Sequence, residues 1–355
     1  MKYNVSEKTQ DELIGSMKRA LGNIWPMVQN DGITDIEYNT TSNKVFIDGK
    51  DGREESDFFY PNNKAQRFIN TVASFHGVEI NEDHPTLSVR LPNKLGGCRL
   101  QANMKPVTDG ISIVLRKPGD LYPIDDYFGK GGVAIPDERK ISDINELETA
   151  KQLLMYALKM RKNILFAGST GAGKTSFLNS VLSELKKIHP TDRLIILEDT
   201  HELQCTFDNH EFLKTHQGKR AGASVSMSDL VENSLRMNPD RIILGEVRGI
   251  EAYDVLNAWD TGHEGGFCTY HAPDATQGFW RFFRLTGMKR NKSNYHFAAS
   301  AIDYIFFLSK VRGHRAIREV AAVSYDYDKD LPDIQTVFPK TTNSALHKNA
   351  STNGH

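Results

Sequence analysis

Residues 168–175 read Gly-Ser-Thr-Gly-Ala-Gly-Lys-Thr, a glycine-rich turn closed by a lysine and a hydroxyl. The spacing is G-x-x-x-x-G-K-[ST]. It follows a short apolar run, Ile164-Leu-Phe-Ala167, and opens a segment with helical periodicity. Glycines at such a turn let successive backbone N–H groups converge on phosphate oxygens, and the N-terminus of the following helix adds partial positive charge. Lys174 would bridge a β- and a γ-phosphate, and Thr175 would offer its hydroxyl to Mg²⁺. A turn rich in glycine only for packing has no need of Lys and Thr in this register. The candidate phosphate-binding set is therefore Gly168, Ser169, Thr170, Gly171, Ala172, Gly173, Lys174, Thr175 and Ser176, and the expected ligand is a nucleoside triphosphate.

Phosphoryl chemistry at such a loop also needs a carboxylate near the metal and a group that orients or deprotonates water. The apolar run Ile242-Ile-Leu244 ends in Gly245-Glu246 rather than in Asp, which leaves Glu246 placed to act on water. A second run, "RLIILEDTHELQ", carries Glu198 and Asp199 at its end and Glu202 beyond. The division of labour expected is Glu246 as general base, with Glu198 and Asp199 around Mg²⁺ through its water shell. One strand ending in acid could simply cap the next element; two in one phosphate-loop domain argue for chemistry. His271 follows the run Phe267-Cys-Thr-Tyr270 and would sense the γ-phosphate, although a lone histidine is more often structural. His263-Glu264 continues Gly-Gly-Phe and so is not H-E-x-x-H, and Cys268 with His271 alone makes no metal site. Arg236, Arg241 and Arg248 crowd the same region without an evident division of roles.

The elements that must position these residues fall into two regions. The first third predicts a helix from Ser6 to about Met27, strands at "ITDIEY" and "KVFIDG", a helix over 62–75, and strands at "TLSVRLP", "CRLQANM" and "ISIVLRKP". That is an α+β pattern without parallel-sheet rhythm. The Gly-, Pro- and Asp-rich stretch 117–140 has no period and reads as a linker, part of which could pack on a domain. A helix then starts at Asp143-Ile-Asn-Glu146, which has capping-box spacing, and runs to about Met160. Beyond it "NILFAG", helix 174–188, "RLIILED", helix 228–236, "RIILGEV", helix 250–260, "GGFCTYH" and helix 274–286 alternate. Short strands apolar on both faces, interleaved with helices, specify a mainly parallel sheet covered on both sides. The last pair, "AIDYIFFLSK" and "HRAIREVAAVSYD", reads as antiparallel. The expected organisation is an α+β domain over 1–118, a linker over 119–140, an α/β phosphate-loop domain over 141–338, and a polar, disordered tail over 339–355.

Bulk properties narrow the class. The 355 residues carry a formal net charge of −1, so no global basic field advertises nucleic acid. The three cysteines are scattered and odd in number, which fits a reducing compartment better than a disulfide framework. No run approaches the length of a membrane span, and the first residues lack a signal peptide's apolar centre. The expected location is the cytoplasm. The basic stretches 281–292 and 310–318 read as a solvated helix face and a hairpin, or as contact with an acidic membrane surface.

Taken in order, "GSTGAGKTS", "LEDTHELQC", "LRMNPDRIILGEVRGIEAYD" and "TGHEGGFCTYHA" resemble the secretion and conjugation traffic ATPases, and within them the TrbB-like conjugal-transfer branch of type IV secretion. The resemblance covers about residues 95–320. It implies a homohexameric ring that hydrolyses ATP with Mg²⁺, built from an α+β N-terminal domain and a RecA-like P-loop C-terminal domain. By motif it makes Glu198 to Glu202 an acidic box, Gly245-Glu246 an atypical second Walker motif, and Gly262-His263 through His271 a histidine box. Family members also bring N-terminal arginines onto the phosphates. The matching strands here point to Arg99 and Arg116, whose charge would stabilise the transition state; alternation alone would place both on an exposed sheet face. The partners implied are further copies of the chain and inner-membrane secretion components, with no direct nucleic-acid contact. Three scattered cysteines cannot build the four-cysteine zinc module of some type II relatives. The function expected is a motor for pilus assembly or substrate transfer in a conjugative type IV system. A pilus extension or retraction ATPase and a nucleotide-gated assembly switch with little turnover are the competing readings.

Overall fold

The computed structural model describes residues 7–40, 42–49, 52–118, 122–128, 150–216, 224–311 and 314–338. Its contacts divide the chain into two compact units. One holds the described residues before position 120 together with Thr200–Glu202, and the other holds the rest.

The first unit runs α1 (Glu7–Leu21), α2 (Trp25–Gln29), β1 (Ile33–Asn39), β2 (Lys44–Gly49), β3 (Gly52–Phe59), α3 (Asn62–Phe75), β4 (Thr86–Arg90), β5 (Arg99–Asn103) and β6 (Ser112–Arg116). The single helix expected over the first 27 residues is broken after Leu21, because Gly22 takes φ +53°, and the chain restarts with Pro26 in the first turn of α2. The six strands form one antiparallel sheet in the order β3-β2-β1-β6-β5-β4. Alternation in β5 and β6 buries Leu100, Ala102, Ile113 and Leu115 in a core with Met17 and Leu21 of α1 and Phe68 and Val72 of α3. The opposite face of the same strands carries Arg99 and Arg116. β3 was not expected from the sequence: Gly-Arg-Glu-Glu-Ser-Asp carries no apolar alternation, but it pairs along β2 as an exposed edge.

The second unit runs α4 (Ala150–Lys159), β7 (Ile164–Gly168), α5 (Lys174–Ile188), β8 (Leu194–Glu198), β9 (His210–Lys214), α6 (Met227–Leu235), β10 (Arg241–Leu244), α7 (Glu251–Asp260), β11 (Phe267–Tyr270), α8 (Ala275–Leu285), α9 (Lys292–Ala301), β12 (Tyr304–Val311), β13 (His314–Asp326) and β14 (Leu331–Phe338). Eight strands form a mixed sheet in the order β14-β13-β12-β7-β11-β10-β8-β9. The pairings from β12 to β9 are parallel, and those of β13 with β12 and β14 are antiparallel.

The period-2 geometry of the central strands explains their doubly apolar sequences. Ile164, Phe166, Ile196, Ile243 and Phe306 pack into one core with residues of α4 and α5. Leu165, Ala167, Leu197, Leu244 and Cys268 pack into the other with residues of α6, α7, α8 and α9. Each large side chain so buried contributes about 1.5–3 kcal/mol. Part of the stretch expected to be a linker, Tyr122–Phe128, belongs to this unit, with Ile124 and Tyr127 in its core. The tail over 339–355, most of the remaining linker and the expected helix start at 143–149 lie outside the described residues. The cysteines are free, with Cys98 and Cys268 buried. Among the described residues no helix is long and apolar enough to cross a membrane.

Candidate active site

The carboxyl ends of the parallel strands converge on one edge of the second unit, the place where open α/β sheets collect ligands. β7 runs straight into the glycine-rich loop. Gly171 and Gly173 take φ +75° and +87°, and Lys174 is the first residue of α5. The Lys174 side chain is buried and folds back over the loop, with Nζ donating to the carbonyls of Gly168 at 3.0 Å and Ser169 at 3.1 Å. Nζ also lies 3.2 Å from Nδ1 of His271. Burial pulls the Lys174 ammonium below its ordinary pKa, against the raising influence of Glu246. Among the described residues it has no carboxylate within ion-pair distance.

His271 directly follows β11, and its Nε2 lies 3.0 Å from Oε1 of Glu246. Glu246 stands two residues past β10. The ends of β10 and β11 are laced by Thr269 Oγ1 donating to the Gly245 carbonyl at 2.5 Å and by Val247 N donating to the Thr269 carbonyl at 2.8 Å. Arg248 caps the other carboxylate oxygen: its Nε and Nη2 reach Oε2 of Glu246 at 2.9 and 2.5 Å, while Nη1 reaches Oδ2 of Asp199 at 3.0 Å. Asp199 in turn accepts from Thr215 Oγ1 at 3.2 Å, just past β9. A continuous polar line therefore crosses the ends of five strands, Lys174–His271–Glu246–Arg248–Asp199–Thr215. Burial acts to raise the Glu246 pKa, but the Arg248 hydrogen bond and charge, with His271 and Lys174, outweigh it and hold the carboxyl below its ordinary value.

Glu198, the last residue of β8, is buried, and its Oε1 accepts from the Leu203 amide at 2.9 Å. Asn179 of α5 likewise accepts from the Gln204 amide at 2.8 Å, so the phosphate-loop helix and the acidic strand hold the same turn. In the first unit Arg99 pairs with Glu202 at 2.5 Å and Arg116 with Asp35 at 2.6 Å. Register aligns Arg90, Arg99 and Arg116 directly across β4, β5 and β6.

Three arginines carry no sequence signal of their position. Arg248 stands out in sequence only as part of a basic cluster, and only the strand order that puts Asp199 beside Glu246 shows its bridging position. Arg90 lies in an expected strand, but its cross-strand register with Arg99 is not a sequence signal. Arg315 belongs to the stretch 310–318 read as a hairpin, solvated or on a membrane, yet its side chain lies against Gly173 and Ser176. Arg241, by contrast, is fully buried on Asp192 at the amino end of β10, away from the site.

Donor chemistry tests the groups that such a site would take. A buried ammonium and a helix N-terminus without a carboxylate partner fit a bound phosphate chain. Mg²⁺ is held through one or two protein oxygens, water and substrate phosphates rather than in a protein cage, and the hydroxyl of Thr175 at the start of α5 and the carboxylates at the end of β8 are donors of that kind.

Comparison with known proteins agrees. Residues 137–311 match the family described as "Type II/IV secretion system protein". The probable conjugal transfer protein TrbB of Sinorhizobium fredii is 33% identical over 260 residues, 73% of this chain and 74% of that protein. The type IV secretion system protein VirB11 of Bartonella quintana is 28% identical over 278 residues, 70% of this chain and 76% of that protein. In fold, the chain is similar to the pilus retraction motor PilT with bound ADP, at a TM-score of 0.59 and 19% identity over 84% of this chain and 80% of the other. The chain belongs to the type II/IV secretion family of traffic ATPases, as a conjugal-transfer, type IV secretion ATPase.

Proposed function

We propose that the protein is the cytoplasmic ATP-hydrolysing motor of a conjugative type IV secretion system, working as a homohexamer on inner-membrane components of that system. The observation that carries the site assignment is the buried Lys174 ammonium at the start of α5, short of an anion and set 3.2 Å from the histidine that holds Glu246. The strand order, with one strand between β7 and the strand leading to Glu246, supports a RecA-like reading of the second unit.

In this reading Gly168, Ser169, Thr170, Gly171, Ala172, Gly173 and Ser176 line the phosphate chain with Lys174, and the Thr175 hydroxyl would hold Mg²⁺, with Glu198 and Asp199 acting through its water. When bound, Mg²⁺ neutralises charge on the β- and γ-phosphates. Glu246 orients the attacking water. Three of its lone-pair sites are taken, two by Arg248 and one by His271, which leaves about one of a carboxylate's four for the water. Held below its ordinary pKa, it is a weak proton acceptor, which favours orienting the water over deprotonating it in the ground state. Arg99 and Arg116 belong to the same proposal on the family resemblance alone: each guanidinium is paired within its own unit, with Glu202 and Asp35, and would exchange that carboxylate for phosphate.

Arg248 sets the ionisation of Glu246. Its charge lowers that pKa, so removing it raises it. Arg248→Ala is expected to move the acid limb of the kcat/KM profile for ATP to higher pH, and an unmoved limb would separate Arg248 from the titrating group. The function itself is tested by ATP turnover and solution mass, with and without ATP and Mg²⁺, for the wild type and Lys174→Ala. The expected wild type is a six-fold assembly with turnover, and the variant loses nucleotide binding and turnover together. A monomer under every condition, whose turnover survives Lys174→Ala, would overturn it.

A further inference from the structure

The phosphate loop is flanked on both sides of β7. Toward β11 and β10 stand His271 and Glu246. Toward β12 and β13 stands Arg315, near the start of β13 and one strand removed from β7. Its aliphatic stem packs so tightly on the loop that a Cβ at Gly173 would lie 2.4 Å from Cδ and 2.9 Å from Nε. Its Nη1 lies 3.4 Å from Oγ of Ser176, and its guanidinium sits 5.6 Å from the centre of the Tyr122 ring. Tyr122 is tied to the same helix, since Ser180 Oγ of α5 donates to its carbonyl at 2.6 Å. The arginine is partly buried, yet among the described residues no carboxylate pairs with it.

A guanidinium held against a phosphate loop, steadied by an aromatic face and short of an anion, has the chemistry of a phosphate ligand. Other arginines at the strand ends are already neutralised, Arg248 by two carboxylates and Arg241 by Asp192. We infer that Arg315 and Tyr122 form a nucleoside-side clamp: Arg315 binds the α- and β-phosphates from the Gly173–Ser176 flank, and the Tyr122 ring packs on the nucleoside. The inference rests on the phosphate-loop reading above and extends it to the end of the nucleotide that Glu246 does not serve. Lys174 Nζ stands at the Gly168–Ser169 side with the hydrolytic residues, so the two cations divide the phosphate chain between them. A clamp on the α- and β-phosphates is blind to the γ-phosphate. It holds ATP and ADP alike, whereas loss of a group at Glu246 touches hydrolysis alone.

The test is equilibrium binding of a fluorescent ADP and of ATP without Mg²⁺, with inorganic tripolyphosphate as competitor, for Arg315→Gln, Arg315→Lys, Tyr122→Leu and Lys174→Ala. Thermal melts serve to confirm folding. Arg315→Gln should raise the Kd for ADP and ATP by the same factor, on the order of 10- to 100-fold for a lost charge-assisted contact. Arg315→Lys, which keeps the charge, should lose less. Tyr122→Leu should weaken ADP several-fold and leave competition by tripolyphosphate unchanged. Wild-type ADP binding in both Arg315 variants overturns the inference, as does a loss confined to ATP, which would move Arg315 to the γ-phosphate. Should Lys174→Ala also bind ADP as the wild type does, the phosphate-loop reading itself fails. Loss in Lys174→Ala with full binding in the Arg315 variants removes the clamp alone.

Discussion

Glu246→Gln is expected to bind ATP and to hydrolyse it on the order of 10²- to 10⁴-fold more slowly, the range for loss of a positioned group that acts on the attacking water. The size follows from geometry. The carboxylate is fixed by two bonds from Arg248 at 2.5–2.9 Å and one from His271 at 3.0 Å, so its one remaining lone pair points where the strand ends hold it. Gln keeps the shape but replaces an anion with a neutral amide, and one of its two acceptor positions becomes a donor. That NH₂ faces either Arg248 or a water that needs an acceptor, and both arrangements are poorer. Binding should survive because, in the proposed site, Lys174 rather than Glu246 would hold the phosphate chain. The measurement is single-turnover hydrolysis beside ATP affinity. Equal single-turnover rates would mean that the water is oriented by another group. Equal affinity with a collapsed rate identifies Glu246 as acting on the chemical step, and it also disfavours the low-turnover switch, in which Glu246 would serve only to sense the γ-phosphate.

What the sequence made legible follows from which signals are local. The phosphate loop is one: eight consecutive residues specify the turn, the helix start and the ammonium, and the helix from Lys174 to Ile188 begins where the motif says it should. The alternation of doubly apolar strands with helices is another, because burial on both faces leaves its mark on each strand separately. Partnership across strands is not local. Nothing near Arg248 in sequence announces Asp199, 49 positions earlier, as its partner. The strand β9, His-Glu-Phe-Leu-Lys, is half-exposed at a sheet edge and carries too little apolar periodicity to stand out, although it pairs with β8 along its whole length. The same limit applies to Arg315. Its stretch is basic and its neighbours Lys310 and Arg318 read as surface, so only the tertiary packing of β13 shows that one of the three meets the phosphate loop. Glu198 shows the converse. Sequence marks it as an acid at a strand end, and structure adds that one of its oxygens is already engaged by the Leu203 amide.

Asp192→Ala is expected to destabilise the fold by about 3–5 kcal/mol, the cost of stranding one member of a buried ion pair. The three crowded arginines of the sequence differ here. Arg236 pairs on the surface with Glu232 across one helical turn, an arrangement worth about 0.3–0.5 kcal/mol. Arg241 has no exposed side-chain surface. It donates to Asp192 at 2.7 Å, to the Gly265 carbonyl at 2.8 Å and to the Leu158 carbonyl at 3.1 Å, tying the amino end of β10 to α4 and to the turn before β11. Without Asp192 the guanidinium keeps two neutral acceptors and loses the anion that offsets its desolvation. Arg161, which shares Asp192 at 2.7 Å, is partly exposed and can return to water. In a unit of this size each kcal/mol lowers the melting temperature by about 2–4 °C, so a fall of roughly 6–20 °C is expected by calorimetry. Arg161→Ala should move it far less. The double replacement Asp192→Ala with Arg241→Met should recover much of the loss, because an apolar side chain of similar length leaves no charge to strand. The pair lies at the opposite strand ends from Glu246, so ATP turnover well below the melting temperature should stay near wild type. A melt within 2 °C of wild type for Asp192→Ala, by contrast, would show that water reaches Arg241 and that the clamp between β10, α4 and β11 is held by packing alone.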